Sequence, residues 1–300
     1  MHLELLKQAV SDFLRYLADE RRSAPNTVAA YQNDLSQFMK FMADEWGAAN
    51  GMDSTMIGPE AVSSFVFALR ERGYATSTIA RRIAAVKSFF AYAHNAGHLT
   101  ANPAAALDSP RVTRGARISV SPGEVRVLLD VGCSGRSPED SRNRAMFTLL
   151  YQTGLRVSEV VWLDVQDVNP DSGTVESRSR TGRVRQLALP AQACESVREY
   201  LVDGRPALVR GDSQLALFLN GRGGRLTRQG FWLIITTRAR RSGVRGPMSP
   251  HALRNSFALE RLDQGTALND LKEMLGHLSI STTRAYARSN AQGQTPSSAG

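Results

Sequence analysis

The stretch LGHLSISTTRAYAR, residues 275–288, decides which fold and chemistry this chain can have. It places His277 nine residues ahead of Tyr286, and the Ser/Thr-rich segment between them is able to open a helix. A tyrosine hydroxyl has an ordinary pKa of about 10 and is a weak nucleophile until neighbouring groups activate it. Tyr286 is therefore a candidate nucleophile, provided that cations lie beside it.

Two upstream motifs supply such cations. TGLRVSE contains Arg156 and Glu159, and PHALRNSF contains His251 and Arg254. The members of each pair are three residues apart, so they share one face if the segment is helical. Arginine binds phosphate oxygens through two parallel hydrogen bonds, and histidine accepts or donates a proton near neutral pH. We therefore predict a phosphoryl-transfer centre, in which either His251 or His277 is able to take the proton of the tyrosine.

In this order and spacing the motifs closely resemble those of the tyrosine recombinase (phage integrase) family, and most of all the bacterial Xer type, XerC and XerD. The resemblance covers nearly the whole chain. It implies that the tyrosine attacks a DNA phosphate to form a 3′-phosphotyrosyl intermediate, and that strands are exchanged through a Holliday junction without a metal or other cofactor. The catalytic residues that it implies are Arg156, Glu159, His251, Arg254, His277 and the nucleophile Tyr286.

One position departs from the family pattern. Xer-type recombinases carry a catalytic lysine in a β-hairpin turn, where it is taken to protonate the 5′-oxygen leaving group. The basic and apolar positions that follow align Arg180 with this lysine, or Arg178 if the hairpin slips by two residues. An arginine with a pKa above about 12 stabilises negative charge but is a poor general acid. We therefore expect slow or partner-dependent activity.

Composition excludes several classes of protein. The chain has 300 residues, 42% of them apolar and 22% charged, which is typical of a soluble protein with two domains. There is no run of about 18 apolar residues and no basic, apolar N-terminal signal. Cys133 and Cys194 lie far apart without a CxxC motif, so neither a disulfide framework nor a zinc site is predicted. We expect a cytoplasmic protein located at the nucleoid, with no membrane association.

The positive charge is concentrated in the second part of the chain. The net charge is +9; residues 1–108 contain 10 Lys and Arg against 11 Asp and Glu, whereas residues 109–300 contain 27 against 17. A basic domain favours a polyanionic partner, because phosphate neutralisation dominates the affinity for nucleic acids. Composition alone also fits a ribosomal or membrane-surface protein. Together with the motifs, it favours double-stranded DNA.

The helical spacing of apolar residues over 1–107 predicts a bundle of four or more helices. One of them should begin with Pro59, and another should span 77–97 with Ser77 or Thr78 as its cap. A proline-containing segment, 108–120, is predicted to be a linker. Its arginines are expected to follow a phosphate backbone, although a merely solvated connection also fits.

Residues 121–288 are predicted to form a mixed catalytic domain, followed by a flexible tail at 289–300. Strand patterns flank a small, basic turn and predict a β-hairpin at 174–189. The predicted helices of this domain span 122–130, 141–154, 157–168, 228–242, 250–264 and 267–276.

The fold class is thus mainly α with a small antiparallel β-sheet (α+β). The resemblance implies an N-terminal SAM-like core-binding domain and a tyrosine recombinase catalytic domain that form a C-shaped clamp on DNA. It also implies a homo- or heterotetramer on a specific recombination site, with a second recombinase as a potential partner. The expected DNA contacts are Arg81, Arg82, Lys87, Arg111, Arg114, Arg117, Arg178 and Arg183.

Three functions fit these features. A site-specific recombinase would act in chromosome dimer resolution or in the integration or resolution of mobile elements. A catalytically impaired accessory protein that only binds DNA is the alternative, and Arg180 is its best argument. A nicking and closing enzyme similar to the type IB topoisomerases would use comparable residues. The intact Tyr286 argues against the accessory protein, and the N-terminal helical bundle makes recombination the preferred prediction.

Overall fold

The computed structural model describes residues 3–46, 57–110, 119–130, 137–178, 182, 184–211 and 214–293. The chain divides into two compact units, Met1–Arg114 and Gly115–Gly300. Both are mainly helical, and the second contains a three-stranded antiparallel sheet, so the predicted fold class is confirmed. In the described part of the chain, no helix is both long and apolar enough to span a bilayer.

The first unit is a helical bundle. Its helices are α1 (Leu3–Asp19), α2 (Pro25–Phe41), α3 (Pro59–Glu71) and α4 (Thr76–Asn95), and a π-helical turn, Met42–Trp46, continues α2. Pro59 occupies the first helical position as predicted, because its fixed φ suits that place and its missing N–H would be unpaired there. The predicted caps Ser77 and Thr78 are wrong: α4 already begins at Thr76, after Ala75, without a side-chain cap.

Aromatic rings fill the core of this bundle. Phe38 contacts Phe65 edge to face at a centroid distance of 5.1 Å, and Phe89 lies 4.9 Å from Phe90. All four side chains are fully buried. Ring pairs of this kind add to the stabilisation that burial of their apolar surface provides.

The second unit combines helices with the sheet. Its α-helices are α5 (Pro122–Asp130), α6 (Pro138–Thr153), α7 (Val157–Trp162), α8 (Ala191–Glu199), α9 (Arg205–Leu208), α10 (Arg228–Arg241), α11 (Pro250–Asp263), α12 (Leu268–Leu275) and α13 (Ile280–Gly293). A π-helical turn, Tyr200–Gly204, joins α8 to α9. Sequence periodicity did not predict α8 or α9, whereas α5, α10, α11 and α12 lie within a residue or two of their predicted bounds.

Helix α7 is shorter than the predicted helix over 157–168. After Trp162 the chain leaves the helix because its backbone pairs with a distant segment: Leu217 donates to the carbonyl of Leu163 at 2.9 Å, and Val165 donates to that of Leu215 at 2.9 Å. A 3₁₀ turn then leads into a short strand. Tertiary pairing has overridden the local helical pattern.

The sheet has the order β1 (Val168–Asn169), β2 (Thr174–Arg178) and β3 (Val184–Ala188), with both pairs antiparallel. Strands β2 and β3 confirm the predicted hairpin, and β1 was not predicted. In their register Val175 lies opposite Leu187, and Ser177 lies opposite Arg185. Arg185 and Leu187 therefore share the more buried face of β3, because alternate residues of a strand point the same way.

Helix α13 extends to Gly293, so the predicted flexible tail does not begin at 289. Helical hydrogen bonding continues beyond Tyr286 where composition alone suggested an irregular chain. The rest of that predicted tail, 294–300, lies outside the described residues, as does most of the predicted linker, 111–118.

Candidate active site

Gly154 ends α6 and turns the chain toward the first arginine. It has a left-handed φ of 61°, and a Cβ at this position would lie 2.3 Å from the ring of Phe257. Only glycine combines this backbone conformation with such a close approach. The turn makes Arg156 the residue that precedes α7, where its backbone N–H donates to Oε2 of Glu159 at 2.6 Å.

Glu159 is the centre of the site. Its buried carboxylate accepts from Nη1 of Arg156 at 3.2 Å and from Nη2 of Arg185 at 2.8 Å, and Nη1 of Arg254 lies 4.0 Å away. We call these four residues the Glu159 cluster. Three guanidinium groups facing one carboxylate leave an excess of two positive charges, as a site for a phosphate requires.

Arg254 is the most buried arginine of the cluster. Helix α11 carries it inward, where Nη1 donates to the carbonyl of Gly154 and Nη2 donates to that of Leu275 at 2.6 Å. Burial, followed by repulsion from Arg156, lowers the pKa of Arg254 to about 10. The side chain is therefore still charged at neutral pH, and its partners hold it in one orientation.

His277 follows a second left-handed glycine, Gly276, at the end of α12. Its Nε2 lies 3.3 Å from Nη2 of Arg254, and its Nδ1 lies 2.9 Å from Oγ1 of Thr283. Because a guanidinium only donates, Nε2 of His277 must accept, and the proton of a neutral imidazole then resides on Nδ1 and is donated to Thr283. Both His277 and Thr283 are buried.

Tyr286 lies directly beside His277. The two rings are nearly parallel, with an interplanar angle of 8° and a centroid distance of 6.2 Å. The hydroxyl of Tyr286 donates to Oδ1 of Asn255 at 3.0 Å, and the tyrosine is only 1% exposed. In this state the candidate nucleophile is next to the charged site but is closed off from solvent.

The structure thus brings together Arg156, Glu159, Arg254, His277 and Tyr286, as the motifs predicted. His251 lies in the first turn of α11, the helix that carries Arg254, and its side chain is exposed. An exposed imidazole one helical turn from Arg254 is accessible to an incoming phosphate.

The candidate leaving-group acid, Arg180, lies outside the described residues, together with Arg183, Arg111, Arg114 and Arg117. Arg178, the alternative to Arg180, ends β2; its side chain is exposed and pairs with Glu176 at 3.1 Å. Arg178 keeps the surface position that a contact with DNA needs.

The basic patch predicted on α4 needs correction. Arg82 is buried, and its guanidinium carbon lies 3.9 Å from the centroid of the Tyr74 ring, so Arg82 does not offer its charge to DNA. Arg81 is half exposed but forms an ion pair with Asp34. Lys87 donates to the carbonyl of Leu107 at 2.9 Å.

Three site residues were not predicted from the sequence: Arg185, Asn255 and Thr283. Two of them had a recognisable signal. Arg185 occupies an inward position of a strand, where an apolar residue is expected, and Thr283 is one helical turn ahead of Tyr286. Asn255 directly follows Arg254, but its contact with the tyrosine is long-range in the sequence and became visible only in the structure.

Among the residues that the structure describes, no three His, Cys, Asp or Glu side chains are arranged to bind an ion. The polar groups of the site are instead cationic, and they suit an anionic ligand.

Two family models match the chain. The one described as "Phage integrase family" covers residues 119–293, and the one described as "Phage integrase, N-terminal SAM-like domain" covers residues 10–97. The chain is 44% identical over 287 residues to the tyrosine recombinase XerC of Roseiflexus sp. (strain RS-1), an alignment that covers 95% of this chain and 90% of the relative. It is 33% identical over 284 residues to XerD of Halalkalibacterium halodurans, with 95% and 94% covered.

A solved structure with a similar fold is the Tn1549 transposon integrase in complex with a circular intermediate DNA. The TM-score is 0.74, and the alignment covers 96% of this chain and 98% of that one at 16% identity. At this identity the similarity concerns the fold.

Proposed function

The chain belongs to the phage integrase family of tyrosine recombinases, and from this premise we propose that it cuts and rejoins double-stranded DNA at a specific recombination site. One observation carries the proposal. The Glu159 cluster and His277 are preassembled around an excess of positive charge, with the hydroxyl of Tyr286 held against the same helix that provides Arg254. Nucleophile and charge-stabilising groups are therefore present in one place.

The reaction follows from these groups. The oxygen of Tyr286 forms a bond to the scissile phosphorus while the bond from phosphorus to the 5′-oxygen breaks. The tyrosine proton passes to a base, and the leaving oxygen takes up a proton. The 3′-phosphotyrosyl bond preserves the energy of the phosphodiester, so a 5′-hydroxyl of the partner strand rejoins the DNA by the reverse steps. Two such exchanges proceed through a Holliday junction.

The arginines stabilise the charge that develops on the phosphate. The side chain of Arg156 is 41% exposed and is able to meet a phosphate directly, whereas Arg254 is buried and held by carbonyl groups. Fixed donors of this kind need little rearrangement during the reaction, which is why they lower its barrier. We assign the phosphate clamp to Arg156 and Arg254, with the exposed His251 as a further donor.

Cleavage requires a movement of α13. The hydroxyl of Tyr286 is occupied by Asn255 and is shielded from solvent, so it has to leave this hydrogen bond before it reaches phosphorus. We propose that DNA binding releases it. The buried state then prevents the free protein from making unwanted strand breaks in DNA.

Protonation of the leaving group is the step for which this chain differs from its relatives' pattern. We propose that Arg180 stabilises the 5′-oxygen electrostatically and that water supplies the proton, because the guanidinium gives up a proton reluctantly. This assignment predicts a slow reaction, which Arg180→Lys should accelerate.

Assembly and biological role complete the proposal. We propose that residues 1–107 form a DNA-binding unit, that four protomers assemble on two sites, and that a second recombinase joins them where the site is asymmetric. The natural reaction is chromosome dimer resolution or the integration or resolution of a mobile element, at the nucleoid.

The test uses the full chain and nicked suicide duplexes, which trap the covalent complex because a short cleaved fragment diffuses away. The sites are first selected by binding from a randomised duplex library. Wild type, Tyr286→Phe and Arg180→Lys are compared on denaturing gels. Tyr31→Phe is the matched control, because its hydroxyl lies in the first unit, 3.4 Å from Ser88.

We expect a protein–DNA band in wild type and in Tyr31→Phe, none in Tyr286→Phe, and faster formation in Arg180→Lys. Site binding without a band in wild type or in Arg180→Lys would refute the recombinase and support the DNA-binding accessory protein. Two observations favour that second candidate, the burial of Tyr286 and the arginine at 180.

A further inference from the structure

Arg185 is the member of the Glu159 cluster to which the catalytic motifs assign no role. It lies on β3, in register with Ser177 of β2, and its side chain is only 13% exposed. A charged side chain at such a position loses hydration, and hydrogen bonds to protein groups have to compensate for that loss. Its contacts therefore indicate what it does.

These contacts connect three elements. Nη2 of Arg185 donates to Oε2 of Glu159 on α7 at 2.8 Å, while Nη1 donates to the carbonyl of Met274 at 2.6 Å and lies 3.5 Å from that of Glu273. The last carbonyls of a helix have no partner within it and favour a cation. Arg185 thus caps α12 and at the same time fixes the carboxylate that orients Arg156.

The same side chain packs on the turn that carries His277. A Cβ at Gly276 would lie 2.6 Å from Nη1 of Arg185, so a side chain at this turn would displace the guanidinium from its present position. Arg156 donates to the carbonyl of the same glycine at 2.9 Å. Arg185 on β3 and Arg156, immediately before α7, therefore both contact Gly276, the residue that precedes His277.

We propose that Arg185 is a positioning residue. It fixes the position of Glu159 relative to the Gly276–His277 turn, and it connects the β2–β3 hairpin to the active site. This inference rests on the proposed recombinase function. Like Arg254, Arg185 has both terminal nitrogens engaged by protein oxygens. Because Arg185 lies outside the catalytic motifs that contain Arg254, we assign it to positioning rather than to a phosphate contact. It acts through Glu159 and His277.

The geometry requires arginine. The planar guanidinium presents parallel donors in two directions, toward the carboxylate and toward the helix end. A lysine ammonium is a single point charge, which serves one of these partners well and the other poorly. Arg185→Lys should therefore restore only part of what Arg185→Met removes.

The experiment measures single-turnover formation of the covalent complex on saturating suicide DNA for Arg185→Met and Arg185→Lys in the full chain. Arg198→Met is the matched control: Arg198 is a half-exposed arginine that pairs with Asp171 at 2.9 Å. We expect Arg185→Met to react about 100-fold more slowly, because small misplacements of reacting groups cost that much. Arg185→Lys should lie between Arg185→Met and wild type, and Arg198→Met should match wild type.

Two readouts separate positioning from other roles. The Kd for DNA and its dependence on salt should not change, whereas loss of a phosphate contact lowers the salt slope by about one. In a double-mutant cycle, Glu159→Gln with Arg185→Met should be no slower than the slower single variant, because the arginine acts through the carboxylate. A lower salt slope, fully additive losses, or a wild-type rate for Arg185→Met would each overturn the proposal.

A DNA-independent measurement keeps this test apart from that of the proposed function. Long-range ¹H–¹⁵N spectra of the His277 imidazole should show the Nδ1–H tautomer in wild type and in Arg198→Met, and a mixture of tautomers in Arg185→Met and Arg185→Lys. If wild type forms no covalent complex, the proposed function fails and these spectra decide the inference. An unchanged tautomer in both Arg185 variants overturns it. Should Arg185→Met not fold, Arg185→Lys is judged by the same criteria.

Discussion

Each unit of the molecule contains a buried carboxylate that faces more than one arginine, Asp34 in the first and Glu159 in the second, and the two arrangements differ in what the arginines do with their remaining charge. In the first unit Asp34 pairs with Arg81 and lies 4.0 Å from Arg82, whose guanidinium stacks on the ring of Tyr74. We call these four residues the Asp34 cluster. The charge of Arg81 is paired with Asp34, and the guanidinium of Arg82 is covered by the Tyr74 ring. The Asp34 cluster therefore stabilises the bundle and presents no positive charge to a ligand.

The Glu159 cluster is built differently. Three arginines share one carboxylate, and the donors left over are turned toward helix-end carbonyls and toward His277. Arg156 remains partly exposed at its edge. Burial of ion pairs alone therefore does not mark a catalytic site. What distinguishes the candidate active site is an excess of positive charge that is held by backbone carbonyls next to the candidate nucleophile.

The largest expected effect separates the two clusters by activity. Arg254→Met should slow covalent-complex formation by about 1,000-fold at saturating DNA, because it removes a fixed donor to the developing phosphate charge. Arg82→Met, the corresponding change in the Asp34 cluster, should leave the rate of the folded protein unchanged. Single-turnover gels on both variants check this, and equal losses would contradict the contrast.

A change in the Asp34 cluster should affect the stability of the first unit rather than the cleavage rate. Asp34→Asn removes the carboxylate beside a buried arginine and should lower the free energy of unfolding of the first unit by about 3 kcal/mol. Urea unfolding followed by circular dichroism measures it, with Asp171→Asn as the control because Asp171 is exposed. A loss no larger than that of the control would show that the cluster is not structural.

A smaller effect is expected one step away from the Glu159 cluster. Thr283→Val removes the acceptor of the His277 Nδ1–H in a buried place, which should slow cleavage about tenfold, in line with the cost of an unpaired buried donor. Thr283→Ser should restore most of the rate. Cleavage rates and DNA affinity are measured together, and a change confined to affinity would argue against a role in orienting the imidazole.

The smallest effect concerns pH. Arg254 has its pKa lowered to about 10 by burial and by Arg156, so it is protonated at neutral pH and loses its charge as the pH rises through about 10. In the proposed phosphate clamp it is the charged form of Arg254 that binds the phosphate, so the cleavage rate on bound DNA should decline only in that alkaline range. A rate that stays constant there would show that this charge is not needed for cleavage.

Much of the site could be predicted from residue types and spacing alone. Short local motifs were enough to predict His277, Tyr286 and the two motif arginines as site residues. Arg185 and Thr283 could not be assigned in the same way, since their roles depend on which atoms they meet across the fold. Arg82 shows the opposite error: it was predicted to contact DNA, but it is buried beneath the partly exposed ring of Tyr74.

The sequence by itself determined the family, the mainly helical fold with one hairpin, and the candidate nucleophile Tyr286, because these follow from periodicity, turn residues and short motifs. Only the tertiary structure decided the rest: that α7 stops at Trp162, that three arginines share Glu159, and that Tyr286 is closed off against Asn255. The physical reason is the distance along the chain between the residues that interact. Propensity acts between neighbours in the chain, whereas charge balance, burial and hydrogen-bond partners are set by residues brought together from distant segments.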